Sequence, residues 1–175
     1  MRNRLMNIGV ACFVGALVGG GCSSRACTLI GCFDQFSASV RRADGTFPAG
    51  NHRVEVLADG VSLSCTFTFP SDPTGSAAYV YAPCPSGLMV SVSPELACAD
   101  VRSDSAVTRT CDPVPGRFME SISLSGTPGQ VHAWQYLDDA AILDAAAAPS
   151  YQNYQPNGPE CGPGCRQAAV AWTLN

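Results

Sequence analysis

Apolar and hydroxyl side chains alternate strictly along the segment from Val61 to Phe69. Every odd-numbered residue there is apolar, and every even-numbered one is Ser or Thr. Because successive side chains of a β-strand point to opposite faces of a sheet, this period of two predicts a strand with one buried face, and it places Cys65 in the core. Such strands bury their apolar side chains by packing one sheet against another.

The same alternation recurs along most of the chain and is interrupted by clear turn sequences. Asp59-Gly60 is typical of a tight hairpin turn, so residues 51–69 are predicted to form a hairpin. About eight or nine short strands, with turns about every 8 to 12 residues, predict an all-β fold, an antiparallel immunoglobulin-like sandwich stabilised by disulfides.

Two segments depart from this pattern. The Ala-rich stretch 140–148 has helical propensity, but it is short and ends at Pro149, so we expect a short strand there, with a helix as the alternative. From Pro94 to Gly116 the alternation fades among charged residues. We expect an irregular polar excursion in this region, held by Cys98 and Cys111.

The N-terminus has the three-part form of a secretory signal, with two arginines, an apolar stretch and then small residues before Cys22. These small residues resemble the lipobox of bacterial lipoproteins, although Gly19 stands where that motif usually has Leu. The resemblance implies a signal peptide over 1–21, a lipidated N-terminus and short tether over 22–31, and one sandwich domain over 32–175. Ordinary cleavage after Ala26 is the alternative, and it would release a soluble secreted or periplasmic protein.

The cysteines predict a disulfide framework. Of the ten, Cys12 lies in the signal and Cys22 is the candidate lipidation site. Eight remain, and in an exported chain this even number predicts up to four bridges of open connectivity, although Cys65 and Cys84 flank one hairpin-like excursion and are a candidate pair. No metal site is expected, because the closely spaced pair near the C-terminus has no matching second pair. The disulfide candidates are Cys27, Cys32, Cys65, Cys84, Cys98, Cys111, Cys161 and Cys165.

Charge and motifs argue against several classes of function. The basic residues are ten arginines and no lysine, against fourteen acidic residues, so no nucleic-acid partner is expected. No G-x-S-x-G motif occurs, and His52 and His132 each stand alone, so we predict no catalytic residue and no cofactor. Asp138-Asp139 follows a strand and is interpreted as a solvated turn.

Aromatic residues give the main indication of binding. His132, Trp134 and Tyr136 alternate along one predicted strand and therefore share a sheet face. Tyr151 and Tyr154 follow in a loop rich in amides. Together they form a possible binding face for a carbohydrate or a peptide. The more ordinary interpretation is that Trp134 is the core tryptophan of the sandwich.

The order of these features resembles a group of cysteine-rich lipoproteins of myxobacterial type. The resemblance rests on the signal with its cysteine, on the segment from Cys32 through Asp44-Gly45 and Phe47-Pro48 to Cys65, and on the ending from Pro156 to Ala168. It implies an exported immunoglobulin-like sandwich, anchored in the envelope through its lipid, with the outer membrane as the expected site. The expected function is a non-enzymatic structural or interaction module whose partner is an envelope protein or glycan. An envelope hydrolase is the remaining alternative.

Overall fold

The protein folds into two β-sheets that bury a common core. The structure, a computed structural model, describes residues 31–102, 106–158 and 160–175. The six-stranded sheet has the order β4-β5-β6-β1-β10-β9, and the four-stranded sheet has the order β3-β2-β7-β8. This confirms the all-β, disulfide-stabilised sandwich. The strands are β1 Gln35–Arg41, β2 Gly50–Ala58, β3 Val61–Phe69, β4 Val80–Tyr81, β5 Leu88–Arg102, β6 Val107–Ser125, β7 Val131–Leu137, β8 Ala140–Ala147, β9 Gln152–Tyr154 and β10 Cys165–Thr173, and a 3₁₀ turn spans Gly75–Ala78.

Several local predictions are confirmed. The hairpin over residues 51–69 is formed by β2 and β3, and its turn places Asp59 and Gly60 at φ of 47° and 85°, the left-handed values that a tight hairpin turn requires. The carboxylate of Asp59 also accepts hydrogen bonds from the backbone N–H groups of Gly129 and Gln130. The Ala-rich stretch is strand β8, which pairs with β7.

The structure adds two details to the predicted antiparallel sandwich of about eight or nine short strands. The described residues form ten strands, and β10 runs parallel to β1, with Gln35 opposite Gln167. Hydrophobic periodicity indicates on which face of a sheet a side chain lies, but it carries no information on strand direction. The sequence therefore could not show that β1 and β10 are parallel. The disulfide Cys32–Cys165 lies beside it.

Residues 94–116 are not an irregular loop. They form the far half of a long hairpin in which β5 and β6 stay paired to Arg102 and Val107, with a register shift between Pro94 and Leu96. Beyond this shift most side chains on both faces are exposed. No buried face exists to impose alternation, which explains why the pattern faded. We call this two-stranded projection, Leu96–Arg102 with Val107–Pro113, the arm.

The disulfides follow the predicted framework where the structure describes it. Cys65 pairs with Cys84 as expected, Cys98 with Cys111 across the arm, and Cys32 with Cys165. Cys161 is also disulfide-bonded. Cys22 and Cys27 lie outside the described residues. Among the described residues, no helix has the length and apolar character needed to cross a membrane.

The core contains a polar cluster that joins the two sheets. Glu120 of β6, His52 of β2 and Gln135 of β7 are all fully buried. The Gln135 amide nitrogen lies 3.3 Å from a Glu120 carboxyl oxygen and 3.1 Å from Nδ1 of His52, and Nε2 of His52 lies 2.8 Å from the carbonyl oxygen of Pro48. This arrangement fits a His52 that donates from Nε2 and accepts at Nδ1.

Burial keeps both ionisable members of this cluster neutral. Complete burial raises the pKa of Glu120 from 4.5 to about 8, although the hydrogen bond from Gln135 opposes the rise. Burial also lowers the pKa of His52, and the hydrogen bond to Pro48 opposes that change. At neutral pH the sandwich therefore encloses an uncharged acid and an uncharged imidazole.

We predict that the contribution of Glu120 to stability falls as the pH rises from about 4.5 to 8, because over this interval the unfolded chain loses the Glu120 proton while the folded protein keeps it. His52 opposes this change below about pH 6.5, so the free energy of unfolding should show its net decrease between about pH 6.5 and 8 and level off above the folded pKa of Glu120. Glu120→Gln should remove this decrease and be more stable than wild type at pH 8.5. The loss of stability on acidification below about 6.5, which comes from His52, should remain in the variant. Urea unfolding across this range measures both, and a flat wild-type profile between pH 6.5 and 8 would contradict a raised Glu120 pKa.

A second prediction concerns the arm. Most side chains of the arm are exposed, and a two-stranded ribbon is marginally stable alone, so we expect Cys98–Cys111 to supply much of its order. We expect the Cys98→Ser/Cys111→Ser variant to keep the midpoint of global unfolding within a few degrees of wild type. Trypsin should nevertheless cleave it rapidly after Arg109, before the arginines of the sandwich. Mass spectrometry identifies the cleavage sites. If trypsin cleaves after Arg109 equally slowly in both proteins, the arm is ordered without its bridge.

Candidate functional site

The outer face of the four-stranded sheet carries aromatic and charged side chains together. His132, Trp134 and Tyr136 of β7 point outward and are half-buried, whereas Val131, Ala133 and Gln135 point into the core. Trp134 is therefore not the core tryptophan of the sandwich, and that interpretation is wrong. Trp172 of β10 takes the position against the core instead, with its ring centroid 6.0 Å from that of Phe36.

Neighbouring strands extend this row of rings with charged side chains. Arg53 and Glu55 of β2 lie opposite Tyr136 and Trp134 in the strand register. The Arg53 guanidinium lies 4.0 Å from the centre of the Tyr136 ring and forms an ion pair with Glu55. We call His132, Trp134, Tyr136, Arg53 and Glu55 the aromatic face.

The aromatic face is held in place by its own contacts. The ring of His132 stacks on that of Trp134 at 3.8 Å, and its Nε2 pairs with the carboxylate of Asp144 on β8. Arg53 is fixed between Glu55 and the Tyr136 ring. Stacked rings and paired charges restrict the rotamers of these side chains, so the face is ordered before any ligand arrives.

An open cleft of about 720 Å³ adjoins one end of the aromatic face. The residues that line it include Arg53, Thr66 and Tyr81, and 73% of the surface of Tyr81 is exposed. The turn Asp138-Asp139 also lines it. A guanidinium, an exposed aromatic ring and two carboxylates thus line one opening.

The Asp138-Asp139 turn is more constrained than a solvated turn needs to be. Both residues have positive φ, 46° and 69°, in the left-handed region that non-glycine residues rarely adopt. The Asp138 carboxylate accepts a hydrogen bond from the backbone N–H of Asn51 at 3.2 Å, and the backbone N–H of Asp138 donates to the Asn51 carbonyl at 2.9 Å. These bonds leave Asp139 fully projected into solvent, 3.9 Å from Arg53.

The five aromatic residues predicted as one binding face do not lie together. Tyr151 is half-buried against the core, and its hydroxyl donates to the Pro128 carbonyl at 3.0 Å. Tyr154 is exposed on β9, which belongs to the six-stranded sheet. The sequence places them near each other along the chain, but the crossover from β8 to β9 carries them to the other sheet.

The two histidines lie in different settings, and the ring of each is already engaged by neighbouring groups. The His52 ring is buried, with Nε2 bound to Pro48 and Nδ1 facing Gln135. His132 is stacked on Trp134 and paired with Asp144 at the surface. Within the described ranges, no group of three or more His, Cys, Asp and Glu side chains could hold a metal ion.

The sequence alone did not assign Arg53, Glu55 and Tyr81 to a site, because nothing in their own segments shows which aromatic side chains they adjoin. Cross-strand pairing between β2 and β7 brings Arg53 to Tyr136, and that register is set by the whole sheet. One signal was available in the sequence: Arg53 and Glu55 alternate with Val54 and Val56, which places them on the outer face of their strand.

Comparison with known proteins adds no relative: no protein family, no curated protein and no solved structure matches this chain.

The position of Trp134 predicts its response to a soluble quencher. The chain has two tryptophans, so a Trp172→Phe variant reports on Trp134 alone. Because Trp134 lies on the outer face, acrylamide should quench its fluorescence readily. The reciprocal Trp134→Phe variant should be quenched much less, since Trp172 packs against the core. Equal quenching constants in the two variants would contradict this assignment.

Proposed function

We propose that this protein is a non-enzymatic interaction module of the bacterial cell envelope that is anchored through an acylated Cys22 and binds a protein partner on its aromatic face. The disulfides indicate an exported, extracellular or envelope location, because such bonds persist in oxidising compartments. The signal-like N-terminus and the small residues before Cys22 support the anchor, and we propose the outer membrane as its site.

The observation that carries the proposed binding role is the composition of the aromatic face. Trp, Tyr and Arg are the residue types that most often dominate the binding energy of protein interfaces. Here Trp134, Tyr136 and Arg53 are adjacent and lie on rigid strands rather than on loops. Little conformational entropy is lost when such side chains are covered.

Charge around this surface favours a partner with basic groups. Glu55, Asp139 and Asp144 outnumber Arg53, the nearest cation. The chain as a whole carries a formal net charge of −4. A partner surface with arginine or lysine at its rim would be attracted to this face, and the encounter would weaken with added salt.

The anchor is tested by the intact mass of the protein isolated from membranes. We expect a chain that begins at Cys22 and carries acyl mass. Cys22→Ser should lose both the acyl mass and the membrane association, whereas Cys12→Ser, a change inside the signal, should keep both. A soluble wild-type chain that begins at Cys27 would overturn the anchor and favour the secreted alternative.

The partner face is tested by site-specific photo-crosslinking in cells. A photoreactive residue at Leu57, which pairs with His132, should crosslink one envelope protein that mass spectrometry identifies. The same residue at Ser91, on the outer side of the other sheet, should not. Trp134→Ala should reduce the Leu57 crosslink at least about tenfold. Labelling at both positions, or no protein adduct at Leu57, would contradict this face as the interface.

A further inference from the structure

The six-stranded sheet carries a second groove, on its outer face and away from the aromatic face. It has a volume of about 350 Å³, near the lower end of the range of about 300 to 1,000 Å³ that is typical of small-molecule sites. Its lining comes from β1, β9 and β10 and from Ser150, which precedes β9. We call it the amide groove.

Three glutamines form a row across its floor. In the strand register Gln152 lies opposite Gln167, and Gln167 lies opposite Gln35. Directly paired residues of adjacent strands share a face, so the three amides lie side by side across β9, β10 and β1. Phe36 and Ala168, the next residues along β1 and β10, point into the core, which fixes the glutamines on the solvent side.

These amides are uncommitted. Among the described residues, none of the three glutamine side chains makes a hydrogen bond. Asn153 and Tyr154 add another amide and an exposed ring to the groove, and 54% of the surface of Tyr154 is exposed. The groove thus offers several donors and acceptors together with one flat apolar surface.

Among the described residues, those that line the groove include no carboxylate, guanidinium or imidazole. Asp34 and Arg166, which precede Gln35 and Gln167 in the chain, pair with each other at 3.1 Å. Hydrogen bonds from the Arg166 backbone and side chain lower the pKa of Asp34, so this carboxylate is paired with a group outside the groove. An anionic or cationic ligand would therefore find no counter-charge in the groove.

The position of β9 is set by the turn that follows it. A Cβ at Gly164 would lie 2.9 Å from Cγ of Gln155 and 3.0 Å from the carbonyl oxygen of Tyr154, so only glycine lets this turn pack against β9. Cys32–Cys165 ties the same end of β10 to the segment before β1. The amides and the ring are therefore held on a covalently braced part of the sheet.

We propose that the amide groove binds an uncharged oligosaccharide. Each primary amide offers a donor and an acceptor that match neighbouring hydroxyl groups of a sugar ring, and the Tyr154 ring can stack on the apolar C–H face of a pyranose. A row of amides at strand spacing, about 4.8 Å apart, suits successive polar groups along one extended chain. This site is independent of the aromatic face and of its protein partner.

The probe is chitotetraose, a neutral β-linked sugar, titrated into the ¹⁵N-labelled protein and followed by NMR. We expect saturable shifts confined to backbone amides near residues 35–37, 152–154 and 167–169. Tyr154→Ala and Gln167→Ala should each weaken binding about tenfold or more. Tyr81→Ala and Gln130→Ala remove an exposed tyrosine and an exposed glutamine elsewhere, and they should bind as wild type does.

Three results would overturn the proposal. Absence of saturation by chitotetraose and by cellotetraose up to about 10 mM would exclude even a weak sugar site. Equal affinity of wild type and both groove variants would place binding elsewhere. Tighter binding of an uncharged glutamine- and serine-rich tetrapeptide than of either sugar would identify a peptide site instead. Trp134→Ala should leave sugar binding unchanged, which separates this test from that of the aromatic face.

Discussion

The parallel pairing of β1 with β10 is the contact on which the other features of this fold depend. It joins the beginning of the described domain to its end and places β1 between β6 and β10. Seven residue pairs run from Gln35–Gln167 to Arg41–Thr173, with Phe36, Ala38 and Val40 buried beneath them. Without this pair, β9 and β10 would have no sheet to join, and the amide groove would not exist.

The core shows a different constraint, because it encloses polar groups where the alternation predicts apolar ones. Glu120 lies on the same face of its strand as Ile122 and Leu124, and Gln135 lies on the same face as Val131 and Ala133. Their positions in the alternation are those of buried residues, but their side chains are polar and so do not stand out in a pattern of apolar residues. They form a hydrogen-bonded contact between the sheets that apolar packing alone would not orient.

Fold class was predictable because it depends on local alternation, which is strong in β2, β3 and β7. Strand direction was not predictable, because it depends on the route that the chain takes between strands. The arm was not predictable either, because it has no buried face to impose an alternating pattern. The candidate site was predictable only in part: alternation along β7 grouped His132, Trp134 and Tyr136. Their neighbours come from β2, and the separation of Tyr154 from them depends on the crossover between sheets.

The Cys32–Cys165 bridge gives the domain a mechanical property that follows from its location. A force applied to the backbone at Cys32 acts directly before β1. The load then divides between the hydrogen bonds of β1 and a covalent link to the start of β10. β1 lies between β6 and β10 and runs parallel to β10. To separate β1 from these strands, it would have to slide along its whole length, because the residue pairs cannot open one at a time. A domain built in this way resists extension from the start of β1 while the outer faces of its two sheets stay exposed.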